Sequence, residues 1–140
     1  MSLLNSIYNT MDKQIEYYQS KLDYEMDSSD LFVALEKEEN IIPLDTRKSF
    51  AFDKEHIPGA INLPHREMDE NSTMHLDKTK TYACYCNGIG CNGSTRGALK
   101  LTKLGFKVKE LTGGIEWWKF EGYATEGTHS VKGLKVECAC

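Results

Sequence analysis

The sequence has no apolar run long enough for a transmembrane helix, and its N-terminus lacks a basic segment followed by an apolar one. Those two absences lead to the expectation of a soluble, cytoplasmic protein. A basic excess is missing too. The formal net charge is −4 at pH 7, so overall charge suggests neither a nucleic-acid nor an anionic-membrane partner. Nor is there the evenly spread cysteine set of a stapled secreted fold. Five cysteines, Cys84, Cys86, Cys91, Cys138 and Cys140, make an odd number with three crowded together, which favours reduced thiols. The Cys86/Cys91 spacing would suit a metal or a redox pair. Zinc needs about four ligands, however, and no second Cys or His pair in the folded body has the usual spacing. No metal and no cofactor is therefore expected.

What is present begins with enough length, 140 residues, for one domain with a real core. Its organising stretch runs from Thr81 to Leu104. A β-rich run, Thr81 to Cys86, enters a loop with three glycines and leaves as a helical pattern with Ala98, Leu101 and Leu104 on one face. Backbone N–H groups in such a loop converge, and the following helix adds its positive end, so an anion is stabilised there. The same field favours a thiolate at Cys86, on the lip of the loop, and the thiolate is the nucleophile. The bland alternative is a small buried hydrophobe.

Along the chain, Leu4, Ile7, Tyr8, Met11, Ile15, Tyr18 and Leu22 recur at steps of three and four, an amphipathic N-terminal helix over residues 1–23 expected to pack on the domain. Tyr24 to Met26 reads as a short strand, and Asp27 or Ser28 caps a helix through Leu31 and Leu35 that Asn40 ends. Ile41 to Leu44 is a strand begun irregularly by Pro43. His56 precedes a Pro58-Gly59 turn and is read as a backbone brace more readily than as an acid or base. A short strand follows, then a short helix from His65 to Asp69. Phe106 to Leu111 is a further strand, and Gly113-Gly114 opens a last helix carrying Trp117 and Trp118. The tail, residues 125–140, is expected to be loosely held. Helix and strand alternation argues an open, largely parallel α/β sheet with helices on both faces, and ligands in such sheets sit beyond the strands' carboxyl ends, where Cys86 lies.

Five separated pieces, in order over residues 24–124, resemble the rhodanese-like domain family: Leu44-Asp45-Thr46-Arg47; Glu55-His56-Ile57-Pro58-Gly59-Ala60-Ile61-Asn62-Leu63-Pro64; Tyr85-Cys86; Leu104-Gly105-Phe106-Lys107-Val108; and Leu111-Thr112-Gly113-Gly114-Ile115 with Trp118. The resemblance implies a five-stranded parallel sheet flanked by helices, here with an extra N-terminal helix. It also implies sulfur transfer. The active-site thiolate takes the outer sulfur of thiosulfate or another persulfide donor and passes it to cyanide or a thiol. The implied partners are thus a small anionic sulfur donor and a thiol acceptor; the N-terminal helix offers a place for a protein partner, and the oligomeric state is left open.

One departure from the family's pattern matters. The common loop has the nucleophile, four residues and an arginine, which fits Cys91 and Arg96; Cys86 is separated from Arg96 by nine. Counted instead from Gly105, Cys86 stands 19 positions upstream and Cys91 14, and the family's spacing lies nearer Cys86. Cys86 is therefore assigned as nucleophile, with Cys91 the alternative and Arg96 inside the helix. The anion-binding loop becomes Asn87, Gly88, Ile89, Gly90, Cys91, Asn92, Gly93 and Ser94, with the amides of Gly88, Gly90, Cys91 and Gly93 as donors. Asp45 and Arg47 are expected to brace the site by an ion pair. Cys91 either resolves a Cys86 persulfide or sulfenate as a disulfide or merely fills the loop. Two other functions compete: phosphate or arsenate oxyanion chemistry on the long loop, disfavoured by the missing loop-end arginine, and a non-catalytic persulfide-sensing or partner-binding module.

Overall fold

The strand at the centre, β4 (Thr81–Tyr85), alternates its side chains between two cores. Tyr82 and Cys84 enter one, Ala83 and Tyr85 the other, and all four are buried. Such period-two burial on both faces requires cover on both sides of the sheet. The structure, a computed structural model, describes residues 3–130. Its sheet is parallel and five-stranded, in the order β1-β5-β4-β2-β3, with β1 (Glu25–Met26), β2 (Ile41–Asp45), β3 (Ile61–Asn62) and β5 (Lys107–Leu111) beside β4.

One face is covered by α2 (Ser28–Glu36) and α5 (Gly114–Phe120), which supply Leu31, Ile115 and Trp118 to the core around Tyr85. The other is covered by α4 (Gly93–Lys103), whose Leu101 is fully buried, with Ala98 and Leu104 packed beside it. Fully buried Leu31, Leu44, Ile57 and Leu101 each contribute about 2 kcal/mol of transfer free energy. Capping starts α2: the Asp27 carboxylate accepts from the Asp30 N–H at 2.8 Å, and Asp30 reciprocates. This helix ends at Glu36, ahead of Asn40, because Glu38 takes a left-handed conformation (φ 53°) and turns the chain. Pro43 does not make β2 irregular. Pairing with β3 begins only at Leu44, so the proline sits where β2 ladders with β4 alone.

Two further expectations are corrected, and one element is added. The first helix, α1 (Leu3–Tyr24), is present, but Leu4, Met11, Ile15, Tyr18 and Leu22 are exposed and do not pack on the domain; the side chains of Ile7 and Tyr8 lie outside the described residues. Its sheet contacts fall on β1 and β5. The start of the tail is strapped down: Thr125 is buried, His56 and Glu126 exchange backbone hydrogen bonds, and the N–H groups of Thr128 and His129 donate to Asp53 and Lys54. Residues 131–140, with Cys138 and Cys140, lie outside the described residues. A six-residue helix that the periodicity does not announce, α3 (Ser49–Lys54), follows β2.

The connection leaving β2 runs toward β3, while that leaving β4 runs the opposite way toward β5. Adjacent strands with diverging exits leave a crevice at their carboxyl ends.

Candidate active site

Cys86 is the first residue beyond β4, at that crevice, and only 7% exposed. Its carbonyl accepts from the Ile115 N–H at 3.1 Å, and that of Asn87 accepts from Glu116 at 2.8 Å, so the start of α5 fixes the loop backbone. Gly114 makes this possible. It has φ +59°, and a Cβ there would collide with the Cys86 and Asn87 carbonyl groups.

Beyond Cys86 the loop occupies residues 87–92, shorter than the expected segment, because Gly93 and Ser94 belong to the first turn of α4. That turn is anchored from below: Ser94 and Thr95 hydroxyls both donate to Glu110 Oε1 on β5, at 3.0 and 2.6 Å. Asn92 provides no side-chain cap, so the first-turn N–H groups are free of that partner. Gly93 lies against the sulfur; a Cβ at this position would stand 3.0 Å from Cys86 Sγ and 3.4 Å from both His65 Cδ2 and Thr46 Oγ1.

The other expected donors are not equivalent to Gly93. The Cys91 N–H is spent on Gly88 O at 3.2 Å, and Gly88 packs against the Glu116 carboxylate, which disfavours an anion there. Ile89 is exposed. Arg96 lies within α4 with its Nε donating to Asn92 Oδ1 at 3.2 Å, turned back along its own helix. The expectation of reduced thiols is also corrected for one pair. Cys86 and Cys91 are joined as a disulfide with Cα atoms 6.3 Å apart, because the turn closed by the Cys91–Gly88 hydrogen bond brings the second sulfur back over the first.

Around the sulfur, residues of β2's exit complete a cleft of about 630 Å³. Thr46 is buried and donates from both its hydroxyl (2.8 Å) and its N–H (3.0 Å) to Tyr85 O, fastening the end of β2 to the end of β4. Arg47 and Asp45 form an ion pair in which Nη2 reaches Oδ2 at 2.7 Å and Nε reaches Oδ1 at 3.0 Å. The guanidinium also donates to Glu55 O (2.6 Å) and Asn87 Oδ1 (3.2 Å), tying β2, α3 and the cysteine loop together. Burial opposes the charge on Arg47, but the hydrogen bond to Asp45 and its carboxylate charge overcome that and hold its pKa above the usual guanidinium value.

Sequence reasoning missed Thr46, His65 and Arg66 as cleft residues, together with Lys48, Ser49 and Phe50 at the start of α3. His65 arrives through the main chain, its N–H donating to Thr46 O at 3.2 Å while Lys100 Nζ holds its carbonyl at 2.7 Å. Burial and the charges of Lys100, Arg66 and Arg96 lower its pKa, which keeps the imidazole neutral around pH 7. The only available signal was a histidine directly after the Leu63-Pro64 end of a matching segment. His56 braces instead, its Nδ1 2.7 Å from Phe52 O and its ring stacked on Phe52. Cys84 is fully buried, and burial pushes its thiol pKa up, so it is an inert core residue.

Comparison with known proteins adds to this geometry. Residues 28–121 match the family model described as Rhodanese-like domain. The thiosulfate sulfurtransferase GlpE of Coxiella burnetii is 37% identical over 87 residues, covering 61% of this chain and 78% of that protein. Thiosulfate sulfurtransferase PspE of Escherichia coli is 32% identical over 74 residues, 52% of this chain and 69% of that protein. Among solved structures, the BH2092 protein from Bacillus halodurans matches with a TM-score of 0.82 and 40% identity over 91% of this chain and 94% of that one. The rhodanese-like domain of the Anabaena Alr3790 protein matches with a TM-score of 0.66 and 26% identity, over 83% and 92%.

Proposed function

Because the chain belongs to the rhodanese-like domain family, we propose that it moves sulfane sulfur from thiosulfate or a persulfide donor, through a persulfide on Cys86, to a thiol or cyanide acceptor. The observation that carries this reading is the position of Cys86 Sγ. It lies at the floor of a cleft, beyond the carboxyl end of the central strand and against Gly93 at the positive end of α4. The names of the GlpE and PspE relatives supply the thiosulfate class of donor.

The chemistry starts from the reduced pair. The Cys86 thiolate, favoured by the α4 N-terminus, attacks the outer sulfur of thiosulfate; the sulfur–sulfur bond of the donor breaks and sulfite leaves with the electron pair. Lys48 and Arg66 at the rim attract the dianion, and the first-turn N–H groups of α4, which Asn92 does not cap, meet its oxygens as sulfite charge grows. Asp45 and Arg47 keep the two strand ends in register beneath it. Oxyanion transfer to water is supported less well, because Arg96 is turned back onto Asn92 rather than lining the cleft.

Sulfite release from thiosulfate by pre-reduced protein tests the reading. Cys86→Ser should abolish it, and Cys91→Ser should retain it. Loss in Cys91→Ser alone would make Cys91 the nucleophile, and no sulfite from the wild type with thiosulfate or loss in neither variant would remove the thiosulfate reading.

A further inference from the structure

Resting on the sulfurtransferase reading, we propose that the first acceptor of the Cys86 persulfide is Cys91, and that the protein thereby releases hydrosulfide. The Cys91 thiolate attacks the inner sulfur, Cys86 Sγ. An Sγ–Sγ bond forms, the bond from Cys86 Sγ to its outer sulfur breaks, and the outer sulfur departs as HS⁻ with the electron pair. The two cysteines are oxidised together by two electrons, and the sulfane sulfur is reduced to sulfide. A dithiol reductant then returns the pair to thiols.

Three observations carry the proposal. Cys91 Sγ reaches Cys86 Sγ without displacing the loop: the two are bonded in the structure, the Cys91 N–H closes the turn onto Gly88 O, and Gly90 turns the chain at φ +93° with open space around it. An attacking group held in this way reacts at effective molarities that reach on the order of 10⁵ M or more, far above any free thiol.

Exposure is divided between the sulfurs' residues in the sense the cycle needs. Cys86 is buried under Gly93, so a bulky external acceptor approaches its persulfide poorly, whereas Cys91 is exposed and open to the reductant. Attack by that reductant on Cys91 expels Cys86 as the thiolate, which the start of α4 stabilises as a leaving group. Hydrosulfide is in turn small enough to leave through the cleft and is a better leaving group than an ordinary protein thiolate.

The experiment uses full-length protein, reduced and freed of reductant, given thiosulfate with no added thiol. Sulfide is captured with a bimane reagent, and intact mass and the tryptic peptide 81–96 are recorded for wild type, Cys91→Ser and Cys91→Ala. The wild type should release one sulfide per chain and end with a Cys86–Cys91 disulfide and no retained sulfur. Both Cys91 variants should gain one sulfur atom on Cys86 and release less than a tenth as much sulfide. Sulfur retained by the wild type without sulfide, on either cysteine, would overturn the proposal while leaving sulfur transfer intact, as would equal sulfide from the variants. Absence of sulfur on every chain and of any sulfide would remove the underlying thiosulfate reading as well.

Discussion

Replacing Arg47 with Met removes the guanidinium while keeping most of its apolar stem. The consequences can be worked from the hydrogen bonds. Asp45 has no exposed surface, and its carboxylate loses partners at 2.7 and 3.0 Å, keeping the residue-47 backbone N–H at 2.9 Å. Breaking one side of a buried pair costs about 3–5 kcal/mol. The backbone N–H that remains on the carboxylate keeps the loss in the lower part of that range. We therefore expect a loss of about 3–4 kcal/mol, or roughly 10–15 °C in Tm for a domain of this size. Thermal melts followed by circular dichroism at pH 7 provide the assay, with Asp45→Asn/Arg47→Met expected to recover part of the loss. Sulfite release at a temperature where the variant is folded should show a KM for thiosulfate within about threefold of wild type, since the guanidinium is engaged by Asp45, Glu55 and Asn87. A loss below about 1 kcal/mol, or a tenfold rise in KM without loss of stability, would refute the bracing argument and make Arg47 a substrate contact.

Gly93→Ala should separate activity from stability. Its Cβ would crowd Cys86 Sγ at 3.0 Å, so sulfite release should fall at least tenfold, while a helix gain of up to about 1 kcal/mol offsets the crowding in thermal melts; activity within twofold of wild type would contradict this. Gly114→Ala places a Cβ against the Cys86 and Asn87 carbonyls at φ +59°, and a destabilisation of about 2 kcal/mol or more is expected by urea unfolding. For His65, the folded-state pKa lies below the ordinary value. The unfolded chain therefore binds the proton first as pH falls, and stability rises with pH through the window below about 6.5. Melts at pH 7.5 and 5.5 should show a larger acid loss for wild type than for His65→Gln, and equal losses would show that the imidazole does not titrate this way.

What could be read in the sequence follows from where each signal is stored. Period-two and period-three-to-four patterns are local, and they located β4, the Leu101 face of α4 and the strand-end position of Cys86. The match of Asp45 and Arg47 to a known pattern led to an ion pair that is present. Periodicity reports an apolar stripe but not its cover, so the exposure of Ile15 and Leu22 on α1 was illegible. The α3 helix escaped because Phe50, Ala51 and Phe52 are consecutive and define no face. His65 enters the cleft only through the non-local hydrogen bond to Thr46, and Thr125 is held by partners about seventy residues away in the chain. Spacing alone left Cys91 open between loop filler and a second reactive thiol. The turn made by Gly88 and Gly90 decides which sulfur it meets.

Under the proposed function, the long loop also changes how an anion is held. With Arg96 drawn into α4 and bonded to Asn92, no cation among the described residues stands at the end of the cysteine loop. Arg47 does not replace it, because its charge is matched by Asp45 at 2.7 Å. Among the described residues, positive potential comes from the rim cations Lys48 and Arg66, set against Glu67 on the same rim, and from the end of α4. Exposed cations steer an anion but are screened by salt, whereas backbone N–H groups beside a buried sulfur are screened much less. Under the proposed function, the division of labour is therefore between capture at the rim and orientation at the floor. On the floor, Gly93 is the residue whose missing side chain leaves space beside Cys86 Sγ, the space that the proposed function assigns to a sulfur anion.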